Sequence, residues 1–505
     1  MIKFFGIVLF MTVTTLVQAN NRDSTGIARF FFPINTIGES VVKGTQAAML
    51  YAHERSLTKI AVSAKYRDES HAFMPQLGRG EKKGVFSVDS YIKLNKRSAV
   101  WGNVEYTNGK IKDVCWNSTS DYLQLYPYIL ADSVGGNLSA EQYIFSGGYA
   151  VQRGGFAFGI KGHYRALHEY RNTDPRTRGI VSDFNAALSG GVRINGYLLG
   201  VNIGGRIYKQ FLDVAFYNEN GANTSEMQFT GLGSHYERFS GAGNYSSNRY
   251  KGNEYSATIS ITPCKYQGWY VNTGYGSFRV RRHLPTQNMV PLTSLHIEKL
   301  FGNVAYKKRN ERTIWGMEAS VVYERRTGTE NIIDNGAGNV NKILGSLKMY
   351  KNENITAKIE EKVLINRHNY NVWFEAAASY YDFKAKYLFP NKELQFGAIV
   401  PQAEAGYVHY YNIWSFEFAL RMAYSINING YIDIPEQHID TKIRASFVKM
   451  YDRLSDSCFM FEPKLKLQRE ITPKTAVFFA IKYGRFIYGC MDYANLLTTS
   501  LGVCF

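Results

Sequence analysis

The chain has 505 residues, a net charge of +17 and an aromatic content of 15%. This length is enough for several soluble domains or one large barrel, and so many aromatic residues argue against a disordered protein. The length excludes a small disulfide-stabilised domain, and the five scattered cysteines have no metal-ligand spacing.

The first 19 residues, MIKFFGIVLFMTVTTLVQA, have the three parts of a secretory signal peptide. Lys3 supplies the positive charge, residues 4–16 form a short apolar run, and residues 17–19 fit a small-residue cleavage site. We therefore predict that residues 1–19 are a cleaved signal peptide, with a membrane-anchoring helix as the alternative. An exported protein of this charge suits an anionic lipid surface, and nucleic acid is not an expected partner.

Residues 20–56 precede the first clear strand pattern and include ESVVKGTQAAMLYAHERS. This stretch is compatible with a short helix. We predict that residues 20–56 form either a plug inside a barrel or a periplasmic segment, and the sequence does not choose between them.

From residue 57 onward, many segments alternate apolar and polar residues with the period of two that marks a strand. In residues 414–428 all even positions are apolar, whereas the odd positions include Glu417 and Arg421. Similar alternation occurs in residues 154–164, 198–208, 313–323, 458–468 and 475–484. These segments are longer than a typical strand of a globular protein, which has about five or six residues. They reach the length of a membrane-spanning strand, which has about nine to eleven residues.

Aromatic residues lie near the ends of several predicted strands, as aromatic girdles at two membrane interfaces would require. The pairs are Tyr197 and Tyr208, Trp269 and Tyr275, Trp315 and Tyr323, and Trp414 and Tyr424. We predict an all-β fold, a transmembrane antiparallel β-barrel over residues 57–505 with an even number of strands, about 16–18. A soluble sandwich or propeller is the alternative.

The predicted connections alternate in length up to residue 340, as expected for short periplasmic turns and longer outside loops. The long connections are residues 68–81, 110–140, 169–180, 211–253, 282–292 and 327–339. The short ones are near residues 95–98, 153–154, 195–196, 263–268 and 307–311. Beyond residue 340 we predict short turns at KNEN (351–354), NRHN (366–369), FPNKE (389–393) and HYYN (409–412).

The last ten residues, LLTTSLGVCF, again alternate, with Leu501, Val503 and Phe505 on the apolar face. We expect this face to contact lipid and the strand to pair with residues 57–67, because a membrane barrel leaves no edge unpaired. The same three residues resemble the C-terminal signal of Gram-negative outer-membrane proteins. That resemblance implies an outer-membrane location and recognition by the barrel-assembly machinery. Cys504 is expected to face the lumen.

Two internal stretches carry a second resemblance. LYPYILADSVGG (125–136) and YRNTDPRTRG (170–179) resemble an uncharacterised family of bacterial outer-membrane β-barrels. The resemblance implies a barrel over most of the mature chain and no assigned activity. GTQAAML (44–50) is similar to the N-terminal plug of the long-chain fatty-acid transporter barrels, and this similarity assigns no functional residue.

If the apolar positions face lipid, several charged side chains face the lumen, because Arg or Lys on the lipid face would cost about 2–4 kcal/mol near the midplane. These lumen-lining candidates are Glu318, Glu375, Glu417, Arg421, Glu462, Lys464 and Lys466. They either line a polar path that selects solutes or form ion pairs that fill the barrel. The spacing of Glu417 and Arg421 suits a structural pair.

Arg171, Arg176 and Arg178 form a basic cluster around DPRTRG. Guanidinium groups bind carboxylate and phosphate well, so this loop is a candidate site for an anionic solute or for lipopolysaccharide. The alternative is that the arginines pair with acidic neighbours such as Asp183.

The sequence contains none of the common hydrolase, metalloprotease or nucleotide-binding motifs, and His163 and His168 fall on opposite faces of a strand. We therefore predict no enzyme, no cofactor and no metal site. The predicted function is a porin-like outer-membrane channel or transporter for an unidentified small solute. The alternatives are a non-transporting barrel that binds a partner through loops 110–140 and 211–253, and a barrel hydrolase.

Overall fold

The structure, a computed structural model, describes residues 36–217, 226–241, 247–334, 342–436, 439–489 and 491–505. The predicted signal peptide, residues 20–35 and the middle of the 211–253 connection lie outside the described residues.

Eighteen strands form one antiparallel sheet that closes on itself. In chain order they are β1 Leu57–Glu69, β2 Gly80–Asn95, β3 Ser98–Val114, β4 Gly136–Arg153, β5 Phe156–Tyr170, β6 Arg176–Ile194, β7 Tyr197–Ala215, β8 Asn248–Pro263, β9 Gly268–Leu284, β10 Val290–Arg309, β11 Thr313–Ile333, β12 Ile343–Asn366, β13 Tyr370–Tyr387, β14 Lys392–Tyr411, β15 Trp414–Asp433, β16 Cys458–Thr472, β17 Thr475–Tyr488 and β18 Tyr493–Cys504. The predicted antiparallel barrel with an even number of strands is confirmed.

The barrel closes where the sequence predicts, between β1 and β18. Val62 lies opposite Leu501, and the backbone N–H of Phe505 donates to the carbonyl of Thr58 at 2.9 Å. Leu501 is 58% exposed on the outer face, whereas Cys504 is buried on the inner face. The predicted orientation of Leu501 and Cys504 in this last strand is therefore confirmed.

The alternation of residue types along each strand sets the two faces of the barrel. In β15, Phe416 and Phe418 are about half exposed, whereas Glu417 and Ala419 are buried. Because successive side chains point to opposite faces, the exposed apolar set forms the outer surface and the charged or small set faces inward.

Aromatic girdles lie at two levels of the outer surface. At the lower level, Tyr306 lies between Trp269 and Trp315, with ring centroids 4.9 and 5.9 Å away. At the upper level, the hydroxyl groups of Tyr275 and Tyr323 donate to the carboxylates of outward-facing glutamates. Rings at these two levels are the pattern expected at membrane interfaces.

The connections divide by length between the two ends of the barrel. At the short-turn end they contain two to four residues, whereas at the long-loop end they range from four residues (388–391) to the 216–247 connection. The predicted turn at KNEN is wrong, because residues 351–354 lie inside β12. Polar residues occupy both faces of the strand there, which is why the sequence looks like a turn. On the inner face, Asn352 is buried and donates to the carbonyl of Lys384 at 3.1 Å.

The chain also contains short helices and a small sheet that are not part of the 18-stranded barrel. The helices are α1 Glu39–Gly44, α2 Tyr122–Leu125 and α3 Thr441–Leu454, and the 3-10 helices are Gln46–Tyr51, Pro75–Leu77 and Pro285–Gln287. Short strands Leu130–Ala131, Met227–Gly231 and Ser234–His235 form the small sheet. None of the helices in the described ranges is long and apolar enough to span a membrane.

Helix α3 was not predicted from the sequence. Its first turn is capped by Asp440, whose side chain accepts the N–H groups of Lys442 and Ile443. Ile443, Phe447 and Met450 are buried, and their spacing places them on one helical face.

Candidate functional site

Residues 36–56, which we call the plug, lie inside the barrel at the short-turn end. The plug comprises α1 and the following 3-10 helix and packs against strands β3 to β10. Ile37, Val41, Ala47 and Ala48 are fully buried. Of the two arrangements left open by the sequence, the described part of the N-terminal segment adopts the one inside the lumen.

Glu318, one of the predicted lumen residues, holds the start of the plug. Its carboxylate accepts the backbone N–H of Gly38 at 2.9 Å and the hydroxyl of Ser40 at 2.6 Å. Helix α1 has no side-chain cap of its own. A carboxylate satisfies the free N–H groups at a helix start and interacts favourably with its positive end, so Glu318 anchors the plug to β11.

The rest of the plug is held by polar contacts and close backbone approach. The N–H of Ala47 donates to Ser189 Oγ at 2.6 Å, and the hydroxyl of Tyr91 donates to the carbonyl of Met49 at 2.8 Å. A Cβ on Gly159 of the wall would lie 2.5 Å from the nitrogen of Ala47. Only glycine leaves room for the plug backbone at this position.

His53, at the end of the plug, is half-buried. Its ring lies 4.9 Å from that of Tyr91. Burial, supported by the charges of Lys43 and Lys307 and opposed by Glu39, lowers the pKa of His53. The docked plug therefore favours the neutral imidazole.

One register row of inward-facing charges begins at the edge of the plug, where Lys362 donates to the hydroxyl of Thr36 at 2.8 Å, and continues along the wall away from it. Directly opposed positions on β12 to β16 are Lys362, Glu375, Glu404, Arg421 and Glu462, which we call the charge belt. Neighbouring strands are about 4.8 Å apart, so each charge lies within reach of the next.

Three ion pairs involve members of the charge belt, and a fourth lies beside it. They are Lys362–Glu375 at 3.4 Å, Arg421–Glu404 at 2.7 Å, Lys482–Glu462 at 2.9 Å and Lys464–Glu417 at 2.6 Å. The predicted pair of Glu417 with Arg421 is wrong. At about 3.3 Å per residue the two Cα atoms are roughly 13 Å apart along the strand, whereas partners on the next strand are much closer.

Lys466, the remaining lumen candidate, lies opposite Glu417 in the register of β15 and β16. Its ammonium group is 5.4 Å from the centroid of the Phe478 ring. Its aliphatic stem and charge therefore cover the inner face of the wall near the last strands.

A cavity of about 940 Å³ separates the plug from strands β11 to β17. Four predicted lumen residues, Glu375, Arg421, Glu462 and Lys464, line it. In all, eight Lys or Arg and six Glu side chains border the space. Because both signs of charge face it, the cavity is a hydrated compartment able to hold a small polar solute.

The long-loop end is covered by what we call the cap: residues 115–135, residues 226–241 and α3. Apolar side chains from these three segments form one buried cluster with the inner wall. Guanidinium groups of the wall also hold the first segment: Arg165 donates to Asp121 at 2.5 and 2.9 Å, Arg206 to Gln124 at 2.8 Å, Arg326 to the carbonyl of Leu123 at 2.7 Å, and Arg282 to that of Ile129 at 3.0 Å. The cap is thus bound by both packing and charge.

Tyr208 belongs to the cap contacts and not to an aromatic girdle. It is fully buried inside the barrel and donates its hydroxyl to Asp121 at 3.0 Å. The prediction failed because Tyr208 lies on the inner-facing set of β7, where its polar tip has a buried partner.

The three arginines of the predicted anion loop do not form a cluster. Arg171 is completely buried against Asp132 at 3.1 Å, and Arg176 pairs with Asp174 at 2.9 Å. Arg178 is exposed and donates to His168 at 3.3 Å. For Arg171 and Arg176, the contacts are those of the alternative, pairing with acidic neighbours.

Asp183, the neighbour proposed for that pairing, has other partners. It accepts from Arg206 at 2.7 Å and from Arg165 at 3.3 Å. Both arginines also bind the cap, so Asp183 orients the two guanidinium groups that hold it. The sequence shows that Arg165, Asp183 and Arg206 are charged residues on inner-facing positions. It does not show that the two arginines bind Asp121 and Gln124 of a distant loop.

The outer wall carries a hydroxyl–imidazole contact that the sequence analysis missed. Ser277 Oγ and His296 Nε2 are 2.9 Å apart on neighbouring strands. A nucleophile and base require a third group to orient the imidazole, and no described carboxylate accepts from the other ring nitrogen. The described ranges also contain no group of three or more His, Cys, Asp or Glu placed to hold a metal ion.

A family model matches residues 46–505, from inside the plug to the last strand, and its description is a family of unknown function, DUF6850. The chain belongs to this family. The predicted resemblance of residues 125–136 and 170–179 to an uncharacterised barrel family is thereby confirmed. In the structure these two stretches meet at the buried Arg171–Asp132 pair. No curated protein matches the chain.

Solved structures with a related chain trace are outer-membrane receptors and a transporter. A mutant of the ferric enterobactin receptor PfeA from Pseudomonas aeruginosa is 7% identical, with 90% of this chain and 81% of that chain covered and a TM-score of 0.38. The alcaligin receptor FauA from Bordetella pertussis is 7% identical, with coverages of 87% and 75% and a TM-score of 0.34. The copper transporter OprC is 7% identical, with coverages of 90% and 81% and a TM-score of 0.40. Likeness at these values carries no inference about a ligand.

Proposed function

We propose that this protein is an outer-membrane transporter in which small polar solutes pass through the barrel lumen, controlled by the plug at one end and the cap at the other. The observation that carries the proposal is the charged cavity of about 940 Å³ beside the plug. Barrels of 16 to 18 strands, roughly, are wide enough to leave an aqueous channel. A purely structural barrel would use its inner side chains to fill this space.

The cavity lining supports a polar solute. The charge belt places two basic and three acidic groups around one part of the wall, and Lys464 and Lys482 add positive charge beside it. Rings of charge and pore width determine which solutes a channel passes. A mixed lining favours hydrated solutes of either sign over apolar ones.

The contacts of the plug and the cap support control at both ends. The plug is held by the hydrogen bonds of Gly38 and Ser40 to Glu318. Lys362 also donates to the hydroxyl of Thr36 at 2.8 Å, and Arg309 pairs with Glu54 at 2.6 Å. The cap is held by several arginines and a buried apolar cluster. Two obstructions in series require both to move for passage, so flux depends on the product of their open fractions.

Solute flux into proteoliposomes tests this proposal. Wild-type protein should admit a small uncharged sugar, an amino acid and a monovalent ion faster than protein-free liposomes, and Glu318→Ala should raise the rates. Glu298→Ala is the matched control, because Glu298 is a wall glutamate one strand away that bonds Tyr275 on the outer face. Rates equal to protein-free liposomes for all proteins, with each barrel folded, would exclude transport.

A non-transporting barrel that binds a ligand under its cap is the second candidate. It is favoured by a separate cavity of about 360 Å³ between residues 117–124 of the cap and the inner wall near Lys83 and Glu169. This candidate predicts saturable ligand binding that Asp121→Ala weakens, with no flux in any variant.

A further inference from the structure

The outer wall at the long-loop end carries a row of cations with no acidic partner. Lys209 of β7, Lys251 of β8 and Arg281 of β9 occupy directly opposed positions in the register. All three side chains are exposed. Arg279 lies two residues below Arg281 on the same outer face. Within the described part of the chain, none of these four side chains forms a salt bridge or side-chain hydrogen bond.

A row two outward positions lower, on strands β10 to β13, differs in its charge pattern. Glu298, Arg325, Glu353 and Lys384 follow one another on directly opposed positions, so that row alternates in sign. Like charges placed directly opposite each other destabilise a sheet. The cationic row therefore costs free energy in the isolated barrel unless an anion lies against it.

The carboxylates nearby on the outer face have partners of their own. Asp213 pairs with Arg249 at 3.0 Å and accepts the hydroxyl of Ser247 at 2.7 Å. Glu298 accepts the hydroxyl of Tyr275 at 3.0 Å. Among the described residues, the cationic row is therefore left without an acidic partner.

The height of the row identifies the phase that it faces. On β7, Ile207 and Ile203 lie two and six residues below Lys209 and are 52% and 58% exposed. On β8, Tyr255 lies four residues below Lys251 and is 73% exposed. Tyrosines at this level mark the boundary between hydrocarbon and headgroups. Lys209, Lys251 and Arg281 therefore lie at headgroup height, directly above the lipid-facing band.

We propose that Lys209, Lys251, Arg279 and Arg281 form a binding site for the phosphate groups of an anionic lipid in the membrane leaflet at the long-loop end. Ammonium and guanidinium groups form strong charge-assisted hydrogen bonds with phosphate. The acyl chains of such a lipid would lie along the apolar band below, which a free phosphate ion or a soluble protein would not use. The site is distinct from the predicted Arg171–Arg178 loop, whose first arginine is buried.

Native mass spectrometry of the protein in dodecyl maltoside tests the site with three probes: a bis-phosphorylated lipid A, its dephosphorylated form and inorganic phosphate. Wild-type protein should retain the phosphorylated lipid, and Lys251→Gln/Arg281→Gln should weaken its binding by roughly tenfold or more. The matched control is Lys384→Gln/Lys386→Gln, which removes two cations at the same rim that Glu393 already pairs. The control should bind like wild type, and Lys251→Arg should retain binding.

Each other outcome overturns the proposal. Equal binding of the phosphorylated lipid by both double variants would show that the cationic row is not the binding site. Equal retention of the dephosphorylated form would exclude phosphate recognition, and equally tight binding of inorganic phosphate would exclude a lipid site. The heat-dependent gel shift of a folded barrel must be the same for all variants, and Lys209→Gln provides a single exposed substitution if a double variant fails to fold.

Discussion

Gly159→Val should expel the plug from its docked position. Gly159 faces inward on β5, and a Cβ there would lie 2.5 Å from both the nitrogen of Ala47 and the carbonyl carbon of Gln46. These are backbone atoms, so rotation of a side chain cannot relieve the overlap. Either the plug backbone moves or the wall distorts, and β-sheet hydrogen bonds on both sides of β5 oppose the second.

The size of the effect follows from the cost of overpacking. Adding atoms to a well-packed site costs about 1–3 kcal/mol. Because about 1.4 kcal/mol corresponds to a tenfold change in an equilibrium constant, the ratio of undocked to docked plug should rise by roughly 5- to 140-fold. Hydrogen exchange measures this ratio through the amide of Ala47, which donates to Ser189 Oγ at 2.6 Å.

Gly162→Val supplies the control on the same strand. A Cβ on Gly162 meets no described atom within 4 Å, so this variant introduces the same side chain without touching the plug. We expect its Ala47 exchange to match that of wild type. If Gly159→Val leaves the exchange of Ala47 as slow as in the control, the plug does not dock against Gly159 as described.

Two further predictions concern stability and pH. Arg171→Ala should lower the free energy of unfolding by about 3–5 kcal/mol, because it leaves Asp132 buried and unpaired. Arg176→Ala should lower it by less than about 1 kcal/mol, since that pair is partly exposed. Urea titration in lipid vesicles measures both, and equal effects would contradict the assigned burial. Burial lowers the pKa of His53 in the docked plug, so docking is fully stable above the undocked pKa of about 6.5 and weakens as the pH falls below it. Exchange of Ala47, corrected for intrinsic rates, should rise between about pH 7.5 and 5.5 in wild type and not in His53→Gln; the same rise in both proteins would exclude His53 as its cause.

The barrel could be predicted from sequence because strand alternation is a local property. The outer face of β15 and the closure of β18 on β1 follow from a period of two and from the need to pair every edge. The turn at KNEN failed for the same local reason. Beyond the lipid band both faces of a strand are polar, so the alternation that marks a membrane strand is lost.

The interior could be predicted only in part. The inward direction of Glu318, Glu375 and Arg421 follows from alternation, but their partners do not, since contacts to the plug and to the next strand depend on register. The contacts of the cap were not predicted because they join distant parts of the chain, as when Asp121 binds Arg165. Burial of Arg171 was missed because a charged residue is rarely buried without a specific partner.

Single-channel recording of three variants tests the central claim, that solutes pass through a lumen closed by plug and cap in series. Gly159→Val loosens the plug, and Asp121→Ala removes the carboxylate that Arg165 and Tyr208 bind in the cap. If the two obstructions are independent, the open probability of the double variant should rise by the product of the increases in the single variants. A double variant that is folded in a planar bilayer and never conducts would contradict the account.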